Sequence, residues 1–182
     1  MAIPGIVRSI ESSGAGEWMR MSLKAMPIVE SIHVFTAAVV FGTILIVDLR
    51  LLGFPSTRRA FTRVSDELTR YTWGAFLISA VTGVLMFAAN ATTYYGNTAF
   101  RIKMFALLLA AVNMAVFELV TKRGVAAWDK DVATAPAARF AGAASIVIWV
   151  AVIFVARWIG FTKGYNYDIP PGLDLNVDFP TK

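Results

Sequence analysis

The stretch Met26-Pro-Ile-Val-Glu-Ser-Ile-His-Val-Phe-Thr-Ala-Ala-Val-Val-Phe-Gly-Thr-Ile-Leu-Ile-Val47 contains no Lys, Arg or Asp. Its titratable side chains are Glu30 and His33, and His33 is the only histidine in the chain. A helix rises about 1.5 Å per residue, so about 20 residues cross a hydrocarbon core of roughly 30 Å. This stretch is long enough to do so. Three more follow. Tyr71 to Phe100 carries no charge, Met104 to Phe117 carries none, and Phe140 to Ala156 carries none. The sequence therefore predicts an all-α integral membrane four-helix bundle with spans at about 26–50, 71–93, 99–121 and 138–161. Thr57 to Arg70 can extend the second span as helix after a turn and N-cap at Phe54-Pro-Ser-Thr57.

Composition agrees. The chain is 57% hydrophobic and 16% charged, with a mean hydropathy of +0.63, against about 25% charged residues in a soluble domain. Cysteine is absent, which excludes disulfides, thiolate metal sites and a Cys nucleophile. The net charge of +5 is better explained by basic loops than by nucleic acid, and no nucleic-acid partner is expected. Met1 to Lys24 has no uninterrupted apolar core and does not read as a signal peptide.

The basic residues set an orientation. The 50–70 connection holds Arg50, Arg58, Arg59, Arg63 and Arg70, and the 122–139 connection holds Lys122, Arg123, Lys130 and Arg139. The opposite side offers Arg8, Arg20, Lys24, Lys163 and Lys182. The positive-inside rule then puts both termini outside, which for a bacterial inner-membrane protein is the periplasm. Residues 1–25 read as an interfacial amphipathic segment, with Ile6, Val7, Ile10, Trp18 and Leu23 toward lipid. Residues 162–182 read as an extended, acidic, Pro-rich periplasmic tail suited to a protein partner.

In this orientation Glu30, His33, Asn90, Lys103, Arg157 and Trp158 fall in one outer layer contributed by all four spans. Glu30 and His33 are three apart and share a helix face. Unlike charges at one depth of a membrane are least costly when they face each other inside the bundle. The layer has two readings. It is a structural network that locks the helices in register, or a cofactor, ion or proton site built on His33. A single histidine excludes a bis-His haem within one chain and any multi-His zinc or iron site. Haem b on His33, a quinone, or copper(I) held by His33 with Met104 and Met86 remain. An inner layer around Asp48, Arg50 and Arg139 reads as flanking charge with an Asp48–Arg anchor pair. Small residues such as Gly42, Gly74, Ala80, Gly83, Ala110, Gly142 and Ala144 permit close helix approach, and Asn113 and Ser145 can hydrogen-bond across helices.

Glu30-Ser-Ile-His33, Phe41-Gly42 and Asp48-Leu-Arg-Leu-Leu-Gly53 resemble the first span of an uncharacterised family of bacterial four-span membrane proteins. Asn97-Thr-Ala-Phe-Arg-Ile-Lys103, Ser145-Ile-Val-Ile-Trp149 and Ala156-Arg-Trp-Ile-Gly160 are similar to that family as well, over roughly residues 10–161. The resemblance implies the fold and the site positions but no reaction. More distantly, a His early in span one and a Lys opening span three resemble the J-type protoporphyrinogen oxidases and the D-type copper-resistance membrane proteins. The first resemblance implies haem b near His33 and Lys103, although this chain lacks the further histidines of those oxidases. The second implies periplasmic copper handling. The expected function is a small membrane component of a redox system. The alternatives are a non-catalytic accessory or anchor subunit, in a complex or homo-oligomer, and copper or proton transport.

Overall fold

A computed structural model describes residues 3–54, 60–129 and 133–162. The expected turn and cap at 54–57 lies mostly outside them, and the expected tail lies outside apart from Thr162, which ends α7 as helix. The described residues are helical, with no strand among them: α1 Gly5–Glu11, α2 Gly14–Met21, α3 Ala25–Leu52, α4 Phe61–Ala89, α5 Ala91–Gly96, α6 Thr98–Leu119, a 3₁₀ segment Thr121–Ala127, and α7 Pro136–Thr162. Of these, α3, α4, α6 and α7 are long and apolar enough to cross a membrane. This is the pattern of a multi-pass membrane protein whose exposed apolar faces meet lipid. We call the end that carries α1, α2 and α5 the termini end, and the other the loop end.

Each long helix presents one seam of small or apolar residues at alternating three- and four-residue steps, the spacing that keeps a seam on one face. On α4 the seam is Ser65, Leu68, Thr72, Ala75, Ser79, Thr82, Met86 and Ala89. On α6 it is Ala99, Lys103, Ala106, Ala110, Asn113 and Phe117. All of these are buried or part-buried, whereas most of their neighbours are exposed. The helix α3 packs along α4 on one side and α7 on the other, and α6 packs along α7. The fourth side of the square is open, because α4 and α6 do not pack along each other.

Glycine and hydroxyl groups bring the paired helices close. A methyl built on Gly142 of α7 would sit 3.0 Å from Leu51 Cβ and 3.1 Å from the Asp48 carbonyl oxygen, so α3 and α7 meet nearly backbone to backbone there. Gly42 and Gly74 face open space and do not act this way. Thr72 donates to Thr43 Oγ1 at 2.8 Å between α4 and α3. Asn113 Nδ2 of α6 donates to the Ala141 carbonyl of α7 at 3.1 Å.

The loop end is organised by Asp129. Its carboxylate accepts from the Thr62 backbone N–H at 2.8 Å and from the Thr62 hydroxyl at 3.1 Å. Its carbonyl accepts from Phe61 N–H and from Arg50 Nη2, both at 2.9 Å. The unsatisfied amides that open every helix are thus met at α4 by a residue 67 positions away. Phe61 is fully buried beside Phe117 and Trp128. The anchor expected between Asp48 and an arginine is built differently. Arg50 reaches Asp129, while Asp48, 6% exposed, has Ser145 of α7 within hydrogen-bonding reach.

At the termini end the short helices fold against α4 and α5. Arg20 Nη1 donates to the Ala89 carbonyl at 3.0 Å, and Glu11 accepts from Thr92 N–H at 2.6 Å. One closes the last turn of α4 and the other opens α5, which fixes the break at Asn90. Val7 and Met19 are buried, so Val7 faces the protein, whereas Ile6, Trp18, Met21 and Leu23 are exposed.

Two predictions follow from this clamp. A methyl on Gly16 would lie 2.6 Å from the Glu11 carbonyl oxygen and 2.7 Å from that of Ala88. Gly16→Ala should therefore cost about 1–3 kcal/mol, as overpacking does, and expose α1–α2 to protease. Gly14→Ala, with nothing within 4 Å, should not. Burial alone would raise the Glu11 carboxyl, but the hydrogen bonds from Thr92 and the Arg20 charge outweigh it and hold it below its ordinary value. Such a carboxyl stabilises fully above its unfolded value, about 4.3, and the gain is lost as pH falls through the folded value. Hydrogen exchange in α1 should rise below about pH 4, and Glu11→Gln should flatten that dependence.

Candidate functional site

His33 sits on the α3 face that meets α4, on the same side as Val29, Thr36 and Val40. Its ring lies against the turn of α4 from Ser79 to Gly83. Nδ1 is 2.9 Å from the Ser79 carbonyl oxygen and 3.0 Å from Thr82 Oγ1. A methyl on Gly83 would meet His33 Cε1 at 3.1 Å. Helical side chains lean over the turn before them, so a side chain at position 83 would shield the Ser79 carbonyl. Glycine leaves that carbonyl open to the imidazole.

The geometry fixes the tautomer. A carbonyl oxygen only accepts, so Nδ1 carries the proton. The Thr82 hydroxyl donates to the Ile78 carbonyl at 2.8 Å, which leaves its oxygen free to accept from Nδ1 as well. In the neutral ring Nε2 then keeps its lone pair. This is how a backbone carbonyl orients a ligating or proton-accepting histidine.

Two charged side chains of opposite sign act electrostatically on the ring, Lys103 and Glu30. Lys103 is part-buried on the α6 seam. Among the described residues it has neither a hydrogen-bond nor an ion-pair partner. Glu30 is exposed one turn from His33 toward the termini end.

The other expected site residues lie elsewhere. Asn90 is the junction between α4 and α5. Met86 is one turn beyond Thr82 on the α4 seam, packed with Met19, Ala25, Val29 and Ala89. Met104 is 49% exposed on α6. Arg157 lies over the Phe161 ring at 5.3 Å, and Trp158, 62% exposed, meets the same ring edge-on. These two form a surface cluster with Phe161. Among the described residues no group of three or more His, Asp or Glu side chains is placed to hold a metal ion.

Sequence reasoning missed Ser79 and Thr82, and named Gly83 only among the residues that permit close helix approach. A signal was present: Ser65, Thr72, Ser79 and Thr82 recur at seven, seven and three residues and so share one face. A chain with one histidine permits a direct test. ¹⁵N-histidine labelling should give a single imidazole with Nδ1 protonated and Nε2 bare at neutral pH. Thr82→Val together with Gly83→Leu should abolish that preference. An Nε2–H tautomer in the unaltered protein would contradict the arrangement.

A family of unknown function (DUF6644) matches residues 10–162. No curated protein and no solved structure matches the chain. With the match running from α1 to the last residue of α7, and so taking in all four long helices and the His33 site, the chain belongs to this family of unknown function.

Proposed function

We propose that the protein is a small membrane component of a redox system, binding haem b or a quinone at His33. The observation that carries this reading is the Nδ1–H bond to the Ser79 carbonyl, which presents Nε2 with a free lone pair. Among the described residues Lys103, which acts electrostatically on the ring, has no hydrogen-bond or ion-pair partner of its own. The residues fit either group. Haem or quinone would supply the electron chemistry when bound. His33 Nε2 would ligate iron or accept a proton. Lys103 would pair with a propionate or a quinone oxygen. Glu30 would balance the charge and exchange the proton with water. Arg157 and Trp158 would shape the surface at the same depth.

The loop-end basic residues support an orientation in which the termini end faces the periplasm of a bacterial inner membrane. The site then lies in the outer half of the bilayer. Exposed Ile6, Trp18, Met21 and Leu23 support α1–α2 resting at the interface. The acidic tail would meet a periplasmic partner.

A second reading, an accessory or anchor subunit, is favoured by the clamp of α1–α2 on α4, which offers a rigid outer platform to a partner. Copper or proton transport is a third. It has the weaker support, because Met86 and Met104 lie on different surfaces.

The test is an absorption spectrum of detergent-purified protein, oxidised and then dithionite-reduced, with lipid extraction and metal analysis of the same sample. A Soret band or a stoichiometric quinone, lost in His33→Ala, is expected. A folded protein free of haem, quinone and metal would overturn the proposal in favour of the accessory reading.

A further inference from the structure

The open side of the helix square has defined limits. At the termini end Phe87 of α4 stacks on Phe100 of α6 at 5.5 Å, with Tyr94 against both. At the loop end Phe61 of α4 meets Phe117 of α6 at 5.7 Å. Between these two ring clusters α4 and α6 do not pack along each other. On α6 the part-buried residues between Phe100 and Phe117 are Lys103, Leu107, Ala110 and Asn113. On α4 the turn that holds His33 carries Gly83, with exposed Ala80 beside it. The ring contacts bracket this stretch at both ends, with His33 and Lys103 toward its termini end and Asn113, bonded to the Ala141 carbonyl, toward its loop end.

We infer that this gap is a lateral entrance from the bilayer for a lipid-soluble quinol, whose two oxygens are met by His33 Nε2 and Lys103 Nζ. The inference rests on the His33 reading above and narrows its ligand. The chemistry selects the reduced form. Nε2 is a lone-pair acceptor, so it needs a hydroxyl that donates. Lys103 is a donor without a partner among the described residues, so an oxygen that accepts suits it. A quinol offers both at opposite ends of one ring. A quinone offers two acceptors and leaves Nε2 facing a lone pair. An ammonium left unpaired at membrane depth is costly, and a ligand oxygen relieves that cost. The apolar tail then leaves through the gap past Leu107 and Ala110 into lipid, so the headgroup never has to cross the polar ends of the bundle.

The test is equilibrium binding of a decyl-tailed benzoquinone and of its quinol to the detergent-purified protein. The quinol should bind about tenfold more tightly than the quinone, the weight of one hydrogen bond made or left unmade. His33→Phe should remove the preference. Leu107→Trp, which fills the gap away from the polar pair, should weaken both forms by about tenfold or more and keep the preference. Ala110→Leu serves if that variant does not fold, and each variant is checked by its elution profile and melting temperature. Equal binding of the two forms, or a preference that survives His33→Phe, overturns the quinol assignment. Unchanged affinity in Leu107→Trp and Ala110→Leu overturns the lateral entrance. If the protein instead carries haem and binds neither form, the quinol site falls while the redox reading stands. If it holds neither haem nor quinone and binds neither form, both fall.

Discussion

The helix α4 touches one long helix along its length, and both of its ends are held by residues remote in sequence. Asp129 caps its first turn and Arg20 takes a carbonyl of its last. In a bilayer the apolar faces of helices gain little by leaving lipid, so association rests on close packing and on interhelical hydrogen bonds. A helix with a free flank has fewer of both. Pinning its ends supplies what the missing neighbour does not. It also places α4 at a fixed height against α3. That height decides whether Ser79 and Thr82 face His33 or miss it by a turn.

Small residues complete the arrangement. The α4 face toward α3 is built from Ser65, Thr72, Ala75, Ser79, Thr82 and Gly83. These let the backbones approach closely enough for an imidazole to reach a main-chain carbonyl of another helix. A methyl at position 83 would meet His33 Cε1 at 3.1 Å and push the ring off that carbonyl by a few tenths of an ångström. The polar character of this seam therefore serves position as well as stability. It orients one ring while leaving the ring's second nitrogen unused.

Much of this was legible in the sequence, for physical reasons. Long uncharged runs can only be satisfied as helices in lipid, so four apolar helices followed from composition and length. The proximity of Glu30 to His33 followed from helical spacing. The α6 seam that carries Lys103 inward was readable too, since Ala99, Lys103, Ala106, Ala110, Asn113 and Phe117 keep a strict alternation of steps. What was not legible depends on contacts across the chain. Nothing in Glu11, Arg20 or Asp129 announces that they cap α4 and α5, because a cap supplied by another segment leaves no local pattern. Which two of four helices stay apart is likewise a matter of side-chain volume at Phe61, Phe87, Phe100 and Phe117. Arg157 and Trp158 were expected at the depth of His33 but gather around Phe161 on the surface of α7, and depth alone does not separate the two cases.

Asp48 and Lys103 differ in what surrounds them. Asp48 Oδ2 is buried with no hydrogen-bond partner among the described residues. It lies at a tight α3–α7 contact, where a methyl on Gly142 would come within 3.1 Å of the Asp48 carbonyl oxygen. No ligand larger than a proton or a water molecule reaches such a place, so Asp48 belongs to the seam that sets the α3–α7 spacing. Lys103 is part-buried on the α6 seam and acts electrostatically on His33 of α3. Local rules are broken at both positions, and broken rules mark functional or strained sites. Under the reading proposed above, Lys103 beside His33 is where binding is to be sought.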